Sequence, residues 1–409
     1  MITSTLKKFS GLSKEVRSIL GAYSVYELAE RIITVFMGIF VYTSSDSLVF
    51  MALYFLVYFT ACFLGFSGWG LLMSKWQINM KWNHLRAFAT YILGFIWFWF
   101  FRDENWHYLV FAAFNGAGLG LFWLGHHSFE MLHTNDKDRD FYSAALGVVD
   151  HVSGILGPLI ATASFLISEK FFGDSLSIIF FVLPFVYLLV IPFLWNLPDF
   201  TPEEIESVDW NRLRKSKKLW PAKRFAFVES LGWGAWEIFA PLIIIAALGT
   251  YVNVGFFDTI LGLVSILIVL IQGHWMHNGN RKKIFHWSLA LVLLYFVGLL
   301  FWPFSPWVFI LLGFYWELVY PVYGTVFHVI SLKNIDQLRC HRGHFYAGLL
   351  YREWIIYLGR LTSLIGVGTV AYFSSNNYLV TAVGITWIIL QYLFLAYFVE
   401  GVLEDEFQQ

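Results

Sequence analysis

The chain has 409 residues and a formal net charge of −1. Hydrophobic residues make up 58% of it and aromatic residues 20%, whereas charged residues make up only 13%. A soluble domain carries about a quarter charged residues, so this composition excludes an ordinary soluble protein. The only two cysteines, Cys62 and Cys340, give no sign of a disulfide framework.

Twelve apolar segments follow one another along the chain, and each predicts a membrane-spanning helix. Helices are predicted because backbone amides that face lipid must bond within their own segment, and the sequence has no alternating strand pattern. We number the segments span one to span twelve. They cover residues 22–43, 48–74, 86–101, 107–132, 141–167, 175–196, 225–248, 253–276, 284–301, 306–330, 347–372 and 378–400.

The Lys and Arg residues predict the orientation of these spans. If the N-terminus is cytoplasmic, most of the 27 basic residues fall in inner segments, whereas Arg102 and Lys170 fall in outer loops. We therefore expect a multi-pass protein of the cell's inner or plasma membrane with both termini in the cytoplasm.

The longest inner loop, Leu197–Arg224, separates span six from span seven. Thr201, Pro202 and Glu204 form a helix-start pattern, and the acids of this loop precede its basic cluster, as the helix dipole favours. We expect a cytoplasmic linker with an amphipathic helix over 197–224. It joins a six-helix bundle with a short inner lead-in, at 1–196, to a second bundle at 225–409. A disordered linker is the alternative.

Two similar hexapeptides indicate an internal duplication. FYSAAL (Phe141–Leu146) and FYAGLL (Phe345–Leu350) begin 204 residues apart, and each opens the fifth span of its half. A glycine followed by basic residues also recurs after the second span of each half, at Gly70 and at Gly273. These repeats predict two halves related by an axis normal to the membrane.

The chain resembles the major facilitator superfamily of secondary transporters over essentially its full length. The resemblance rests on the six-plus-six spans, the long central loop, the charged inner turns and GILGPLI (Gly154–Ile160), which is similar to that family's Gly-Pro motif. Ser74 stands where the family's inner-loop motif has an acid, so this chain departs from the acid-based latch of that motif. The resemblance implies an all-α polytopic membrane protein with twelve transmembrane helices in two pseudo-symmetric six-helix halves.

The stretch GHHSFEMLHTNDKDRD, residues Gly125–Asp140, has a place in a transporter. Its second part is then a tight inner turn between spans four and five, and its charges pair with neighbouring helix ends in one gating state and release them in the other. We predict Asp138, Arg139 and Asp140 as gating residues, together with Arg281 and Lys282 of the second half.

The same stretch also supports an enzyme hypothesis. Four of its residues have the spacing that metal ligands use on a helix, and two histidine pairs lie at other inner helix ends. The alternative is therefore a membrane-embedded metal-dependent enzyme of the desaturase or hydroxylase kind. We expect a transporter and not an enzyme, because twelve spans exceed what such enzymes need and helix ends in the headgroup region collect histidine. The candidate ligands are His126, His127, Glu130 and His133, and the pairs are His274/His277 and His341/His344.

Charged residues inside the spans are the strongest functional signal. Each costs about 2.5–3.5 kcal/mol at mid-bilayer unless it faces a cavity or a partner. Acids outnumber arginines here, and Glu27 and Arg31 are one helical turn apart, so we expect them to pair. The set is Glu27, Glu30, Arg31, Asp150, Glu229, Glu237, Asp258, Glu317, Arg352, Glu353 and Arg360.

The family resemblance implies a central cavity lined largely by spans one, four, seven and ten. By position, it makes Glu27, Arg31, Glu237 and Glu317 substrate-binding candidates. Arg352 and Arg360 are expected to balance acids across the cavity. Aromatic walls beside a carboxylate suit a sugar, a nucleoside-like ring or an organic cation. The alternative is that so aromatic a chain places rings beside every residue. The aromatic candidates are Trp233, Trp236, Trp316, Tyr320 and Tyr323.

The predicted function is secondary transport of a small polar or aromatic-compatible solute by alternating access. Buried carboxyl groups can exchange protons near neutrality, so we expect proton coupling through Glu237 or Glu317. The sequence has no Gly-x4-Gly-Lys-Ser/Thr loop, which argues against ATP-driven transport. We expect a monomer in the lipid bilayer, without a cofactor or a nucleic-acid partner. A non-transporting scaffold or receptor on the same fold stays open.

Overall fold

The computed structural model describes residues 13–101, 104–134, 136–173, 177–202, 214–272, 281–338 and 345–403. Within these ranges the chain is almost entirely helical, and the helices form twelve successive traverses. The predicted all-helical architecture with twelve spans is therefore confirmed. Most helices extend beyond the apolar segments that predicted them.

The first half contains spans one to six. Span two passes through one π-helical turn, and span six is interrupted after Leu188. The helices are Lys14–Ser45 (span one), Leu48–Phe63, the π turn Leu64–Gly68 and Trp69–Lys75 (span two), Asn83–Phe100 (span three), Asn105–His133 (span four), Asp136–Phe172 (span five), and Ser177–Leu188 with Ile191–Leu194 (span six).

The second half contains spans seven to twelve. Span seven is interrupted between Glu229 and Trp233, and it begins at Trp220, inside the segment that we predicted as linker. The helices are Trp220–Glu229 with Trp233–Leu248 (span seven), Tyr251–Gln272 (span eight), Arg281–Phe301 (span nine), Pro306–Gln337 (span ten), Phe345–Phe373 (span eleven) and Asn377–Leu403 (span twelve).

Nine helices in the described part of the chain are long and apolar enough to cross a bilayer by length and composition. The remaining traverses are spans one, three and six. Span one carries Glu27, Glu30 and Arg31 in its middle, span three has 18 residues, and span six is split into two shorter helices. A multi-pass membrane protein follows from these lengths.

The start of the central loop lies against the turn between spans two and three. The Asn79 amide donates to Asp199 at 2.8 Å, and the Phe200 backbone N–H donates to the Asn79 side-chain oxygen. We call this side of the bundle the linker end and the opposite side the far end. The predicted amphipathic helix falls mostly on residues 203–213, including Glu204, which lie outside the described residues.

Glycines of span four allow it to pack closely on span two. A Cβ atom added at Gly116 would lie 2.0 Å from the Tyr58 carbonyl oxygen, and one added at Gly120 would lie 2.0 Å from the Cys62 carbonyl oxygen. Small residues four apart let two helix backbones approach in a membrane, where no hydrophobic effect drives helices together. These two glycines therefore set the distance between spans two and four.

The two halves meet along two pairs of helices. Span five packs on span eight, where a Cβ at Gly262 would lie 2.9 Å from the Gly154 carbonyl oxygen. Span two packs on span eleven, where the Tyr346 hydroxyl donates to the Gly70 carbonyl oxygen at 3.1 Å. Spans two and five of one half correspond to spans eight and eleven of the other. Each contact is therefore the symmetry counterpart of the other, which agrees with the predicted duplication.

Two further contacts between the halves join corresponding helices. Span one meets span seven where Gly38 leaves room for the Pro241 ring. Span four meets span ten where His328 contacts Glu130, with 3.1 Å between Nε2 and Oε1.

We predict that Gly120→Ala destabilises the protein by about 1–3 kcal/mol, the usual cost of overpacking a tight contact. The added methyl group meets backbone atoms of span two, which cannot rotate away as a side chain can. The measurement is the unfolding midpoint of the purified protein in detergent.

The matched control is Gly147→Ala in span five, because nothing lies within 4 Å of a Cβ added there. We expect its unfolding midpoint to equal that of the unchanged protein. Equal midpoints for Gly120→Ala and the unchanged protein would contradict the proposed contact.

Candidate functional site

A group of charged residues that we call the Arg31 cluster lies between the two halves. It consists of Glu27 and Arg31 of span one, Asp150 of span five, Asp258 of span eight and Glu317 of span ten. The Arg31 guanidinium interacts electrostatically with Glu27 and Asp150, and both Asp258 and Glu317 are close enough to interact with Arg31. One arginine of the first half is therefore surrounded by acids of both halves.

Hydrogen bonds position the acids and the arginine of this cluster. The Arg31 Nε donates to Glu27 Oε1 at 2.7 Å, so the predicted pair is present. The Tyr23 hydroxyl donates to Asp150 Oδ1 at 2.6 Å. At the residue after Asp150, His151 Nδ1 and Ser265 Oγ are 2.7 Å apart and link span five to span eight.

The space around Arg31 is open although the residue lies in the middle of its helix. Its side chain is 47% exposed, whereas that of its partner Glu27 is 11% exposed. Only the Arg31 Nε makes a hydrogen bond within the described residues, so the terminal nitrogens of the guanidinium remain available to a bound group. Span five can approach Arg31 closely because Gly157 has no side chain there.

A second group, the Arg352 cluster, is almost fully enclosed within the second half. The Arg352 guanidinium donates to Glu229 of span seven, and to Ser331 and Asn334 of span ten. The Arg352 and Glu229 side chains are 7% and 8% exposed. Arg352, which we predicted to balance acids across the cavity, is thus bonded to neighbours within its own half.

The break in span seven lies next to the Arg352 cluster. Gln391 of span twelve accepts from the Gly232 backbone N–H at 2.5 Å and donates to the Glu229 carbonyl oxygen at 2.8 Å. The glutamine thus satisfies backbone groups that the interrupted helix leaves open. Discontinuous helices of this kind line substrate sites in many transporters, and Glu237 follows one turn beyond the break.

Arg360 connects span eleven to both halves. It donates to Glu353 at 3.4 Å, and its guanidinium lies 5.1 Å from the Phe59 ring centroid and 5.4 Å from that of Trp233. Glu237 is close enough to interact electrostatically with Arg360 and with Glu30 of span one. Glu237 therefore lies where the two halves meet. It is close to the Arg360 guanidinium, which contacts the rings of both Phe59 and Trp233.

One contact between the halves was not predicted from the sequence. Glu130 is fully buried and accepts from His127 at 3.0 Å and from His328 of span ten at 3.1 Å. Glu130 was considered only as a metal ligand, although it lies inside predicted span four. Counting it with the other charged residues inside the spans would have revealed a buried acid in need of a partner.

The predicted aromatic residues fall into two sets. Trp233 and Tyr320 are 52% and 40% exposed, and Tyr320 stacks on Trp316 with 4.7 Å between ring centroids. In contrast, Trp236 packs against Phe239 and Phe296, and Tyr323 is buried between Phe285 and Phe327. Tyr323 is therefore buried in the core of the second half and Trp236 is partly buried against it, whereas Trp233 and Tyr320 are the exposed members.

The four candidate metal ligands do not converge. Among the described residues no three His, Cys, Asp or Glu side chains come together in a way that would hold a metal ion. His126 is buried in a ring cage of Tyr23, Phe122 and Trp123, while His127 bonds to Glu130. His133 lies at the end of its helix. The pairs His274/His277 and His341/His344 fall outside the described residues.

The predicted gating residues are only partly described. Span four ends at His133 and span five begins at Asp136, so residues 136–140, which we predicted as part of a turn, belong to the helix of span five. Asp138, Arg139 and Asp140 lie in the first turns of span five, and Arg281 opens span nine, but their side chains lie outside the described part of the chain. Lys282 pairs with Glu400 at 3.0 Å, and both side chains are about half exposed.

Comparison with known proteins gives a family and a fold. Residues 19–337 match the model of the Major Facilitator Superfamily. The solved structure of the human organic anion transporter MFSD10 (TETRAN) aligns with a TM-score of 0.63, covering 93% of this chain and 99% of that one, at 12% sequence identity. At this identity the likeness concerns the fold alone. No curated protein matches the sequence.

We predict that Glu229→Gln lowers the free energy of unfolding by about 3–5 kcal/mol, because it leaves the buried Arg352 guanidinium without its counter-charge. The measurement is chemical or thermal unfolding of the purified protein. A Glu229→Leu, Arg352→Met double variant should recover much of the loss, since neither charge then remains buried.

The control is Glu400→Gln, which removes the same charge from the exposed pair with Lys282. We expect little change in stability there, because water already solvates both groups. A Glu229→Gln protein as stable as this control would show that the Arg352 cluster does not hold the second half together.

Proposed function

The chain belongs to the major facilitator superfamily, and we propose that it is a proton-coupled secondary transporter of a small polar solute. In this proposal the two six-helix halves, 1–196 and 225–409, rock about a shared central site, with 197–224 as the linker between them. The site is exposed first to one side of the membrane and then to the other.

One observation carries the proposal: Arg31, in the middle of span one, is 47% exposed and faces acids of the opposite half. A charge at this depth is costly unless it serves a cavity or a partner. The Arg352 guanidinium, by comparison, is enclosed by partners of its own half. Arg31 is therefore the arginine that has room for a solute.

The chemistry of the Arg31 cluster supports a solute with both an acceptor and a donor group. The free guanidinium nitrogens suit a carboxylate or hydroxyl oxygen of the solute. Asp258 and Glu317 suit a donor group of the solute or a proton. Trp316, directly before Glu317, and Tyr320, one turn beyond it, stack on each other and supply an aromatic wall, which is compatible with a ring in the solute.

Proton coupling is proposed because the acids between the halves outnumber the cations that face them. Arg31 pairs with Glu27, and Arg360 pairs with Glu353. Asp258, Glu317 and Glu237 are then left without an arginine of their own, and protonation is the simplest way to neutralise a carboxyl group inside a membrane. We propose Glu317 or Glu237 as the group that carries the proton.

We further propose that the protein is a monomer in the inner or plasma membrane with both termini in the cytoplasm, so that the linker end faces the cytoplasm. The positive-inside rule supports this orientation, because Lys75, Lys81, Lys215, Lys217 and Lys218 are all at the linker end or in the linker.

We predict that Glu317→Gln in proteoliposomes abolishes solute uptake driven by a pH gradient, while exchange of solute across the membrane without a gradient persists. The amide preserves the shape of the side chain but cannot release a proton. Glu237→Gln is measured in parallel, and the variant that uncouples uptake from the gradient identifies the proton carrier.

Glu169→Gln is the matched control, because this acid is exposed at the far end of span five and should leave uptake unchanged. The coupling proposal fails if both Glu317→Gln and Glu237→Gln retain full gradient-driven uptake. It also fails if uptake by the unchanged protein ignores the pH gradient.

A second prediction concerns alternating access. At the far end, Thr43 of span one and Tyr251 of span eight are 3.0 Å apart at their hydroxyl oxygens. Opening the far end must separate these residues. We therefore expect that a short bifunctional thiol reagent abolishes uptake by a Thr43→Cys, Tyr251→Cys double variant, as measured in proteoliposomes.

Each single-cysteine variant treated with the same reagent should keep its uptake, which separates cross-linking from simple modification. Reduction of a cleavable cross-link should restore transport in the double variant. Full uptake in the cross-linked protein would rule out a cycle in which the far end opens.

A further inference from the structure

A pocket with no part in the proposed transport cycle opens on the outer surface of the first half. Its volume is about 710 Å³, and spans two, three and four line it. The lining includes Leu64, Gly68 and Leu72 of span two, Arg86 and Thr90 of span three, and Leu121 of span four. These residues lie on the side of spans two and three that faces the surroundings of the bundle and not its interior.

The π-helical turn of span two forms one wall of this pocket. The turn Leu64–Gly68 holds one extra residue, as π turns do, and its Gly65 packs against the Ala117 backbone. Leu64 is 57% exposed, and Leu71 and Leu72 are 39% and 37% exposed. Apolar side chains thus border the pocket along the direction that acyl chains take.

Arg86 is the only charged residue among those that line the pocket. Its guanidinium lies 5.5 Å from the Trp69 ring centroid, and its Nη1 atom is buried without a hydrogen-bond partner among the described residues. No ion pair of Arg86 occurs in the part of the chain that the structure describes. An anion inside the pocket would provide the missing acceptor.

The pocket lies at the depth of lipid headgroups. Arg86 is in the first turn of span three, directly after the linker-end turn. Trp76 and Trp82, on either side of that turn, are 59% and 40% exposed. Exposed tryptophans at helix ends mark the membrane–water interface, so the guanidinium is at the level where phosphate groups of the bilayer lie.

We propose that this pocket binds an anionic phospholipid, with its phosphate on the Arg86 guanidinium and an acyl chain along Leu64, Leu71 and Leu72. The charge of Arg86 selects the anion, and the apolar border selects a lipid over a soluble phosphate. This site is separate from the Arg31 cluster, and the inference does not depend on which solute the protein transports.

The test is titration of the purified full-length protein in detergent with dioleoyl phosphatidylglycerol, followed by native mass spectrometry. We expect Arg86→Gln to weaken binding by about tenfold, the effect of losing one charge-assisted contact. Lys75→Gln is the matched control, because it removes the same charge from the same end of the bundle but does not line the pocket. It should leave binding unchanged.

Gly68→Leu keeps the arginine and fills the pocket, since a Cβ there meets only the Leu64 side chain at 3.8 Å. It should weaken binding as Arg86→Gln does. Dioleoylglycerol, which lacks the phosphate, and inorganic phosphate, which lacks the chains, should bind neither tightly nor in an Arg86-dependent way. The proposal is overturned if Arg86→Gln and Gly68→Leu bind the lipid like the unchanged protein. It is also overturned if Lys75→Gln loses as much binding as Arg86→Gln.

Discussion

A charge inside the membrane needs a partner or water, and this requirement accounts for the arrangement of the protein's interior. The Arg31 and Arg352 clusters meet this requirement in opposite ways. Arg352 is enclosed by Glu229, Ser331 and Asn334 within one half, whereas Arg31 shares its surroundings with acids from both halves. We expect the enclosed arginine to stabilise the second half as a unit. The open arginine lies where the halves meet, so any movement of one half against the other changes its environment.

The helices around these charged residues pack closely against one another. Gly116 and Gly120 bring span four against span two in the first half, and Gly359 brings span eleven against span seven in the second. In a bilayer such contacts have to be made by shape, because lipid tails are as apolar as the helices. Each half is therefore held internally by glycine contacts. Between the halves, glycine contacts such as Gly262 with Gly154 occur together with polar contacts such as Glu130 with His328, which lies near the linker end. Interfaces of the second kind are the easier ones to separate and remake.

The sequence predicted the parts of the fold that depend on hydrophobic length. Every apolar segment became a helix, and the Glu27–Arg31 pair followed from their spacing of one turn. Features that depend on tertiary contacts were not predicted. At the break in span seven, Ser230–Gly232, the open backbone groups are bonded by Gln391, which lies far away in the sequence. No local sequence pattern predicts the π turn of span two. Tyr323 resembles Tyr320 in sequence, but only packing decides that the Tyr323 ring enters the core.

The paired contacts of span two with span eleven and of span five with span eight have the geometry of a two-fold dimer interface, in which one surface meets its own copy. The protein is in this sense two protomers fused into one polypeptide. Fusion permits an asymmetry that a true homodimer lacks. At the 204-residue spacing of the repeat, Ala235 takes the place of Arg31, and Val148 takes the place of Arg352. Two identical subunits would bring two Arg31 side chains toward the same axis, where they would repel each other. A single guanidinium can lie among several carboxylates only because the sequences of the two halves were free to become different.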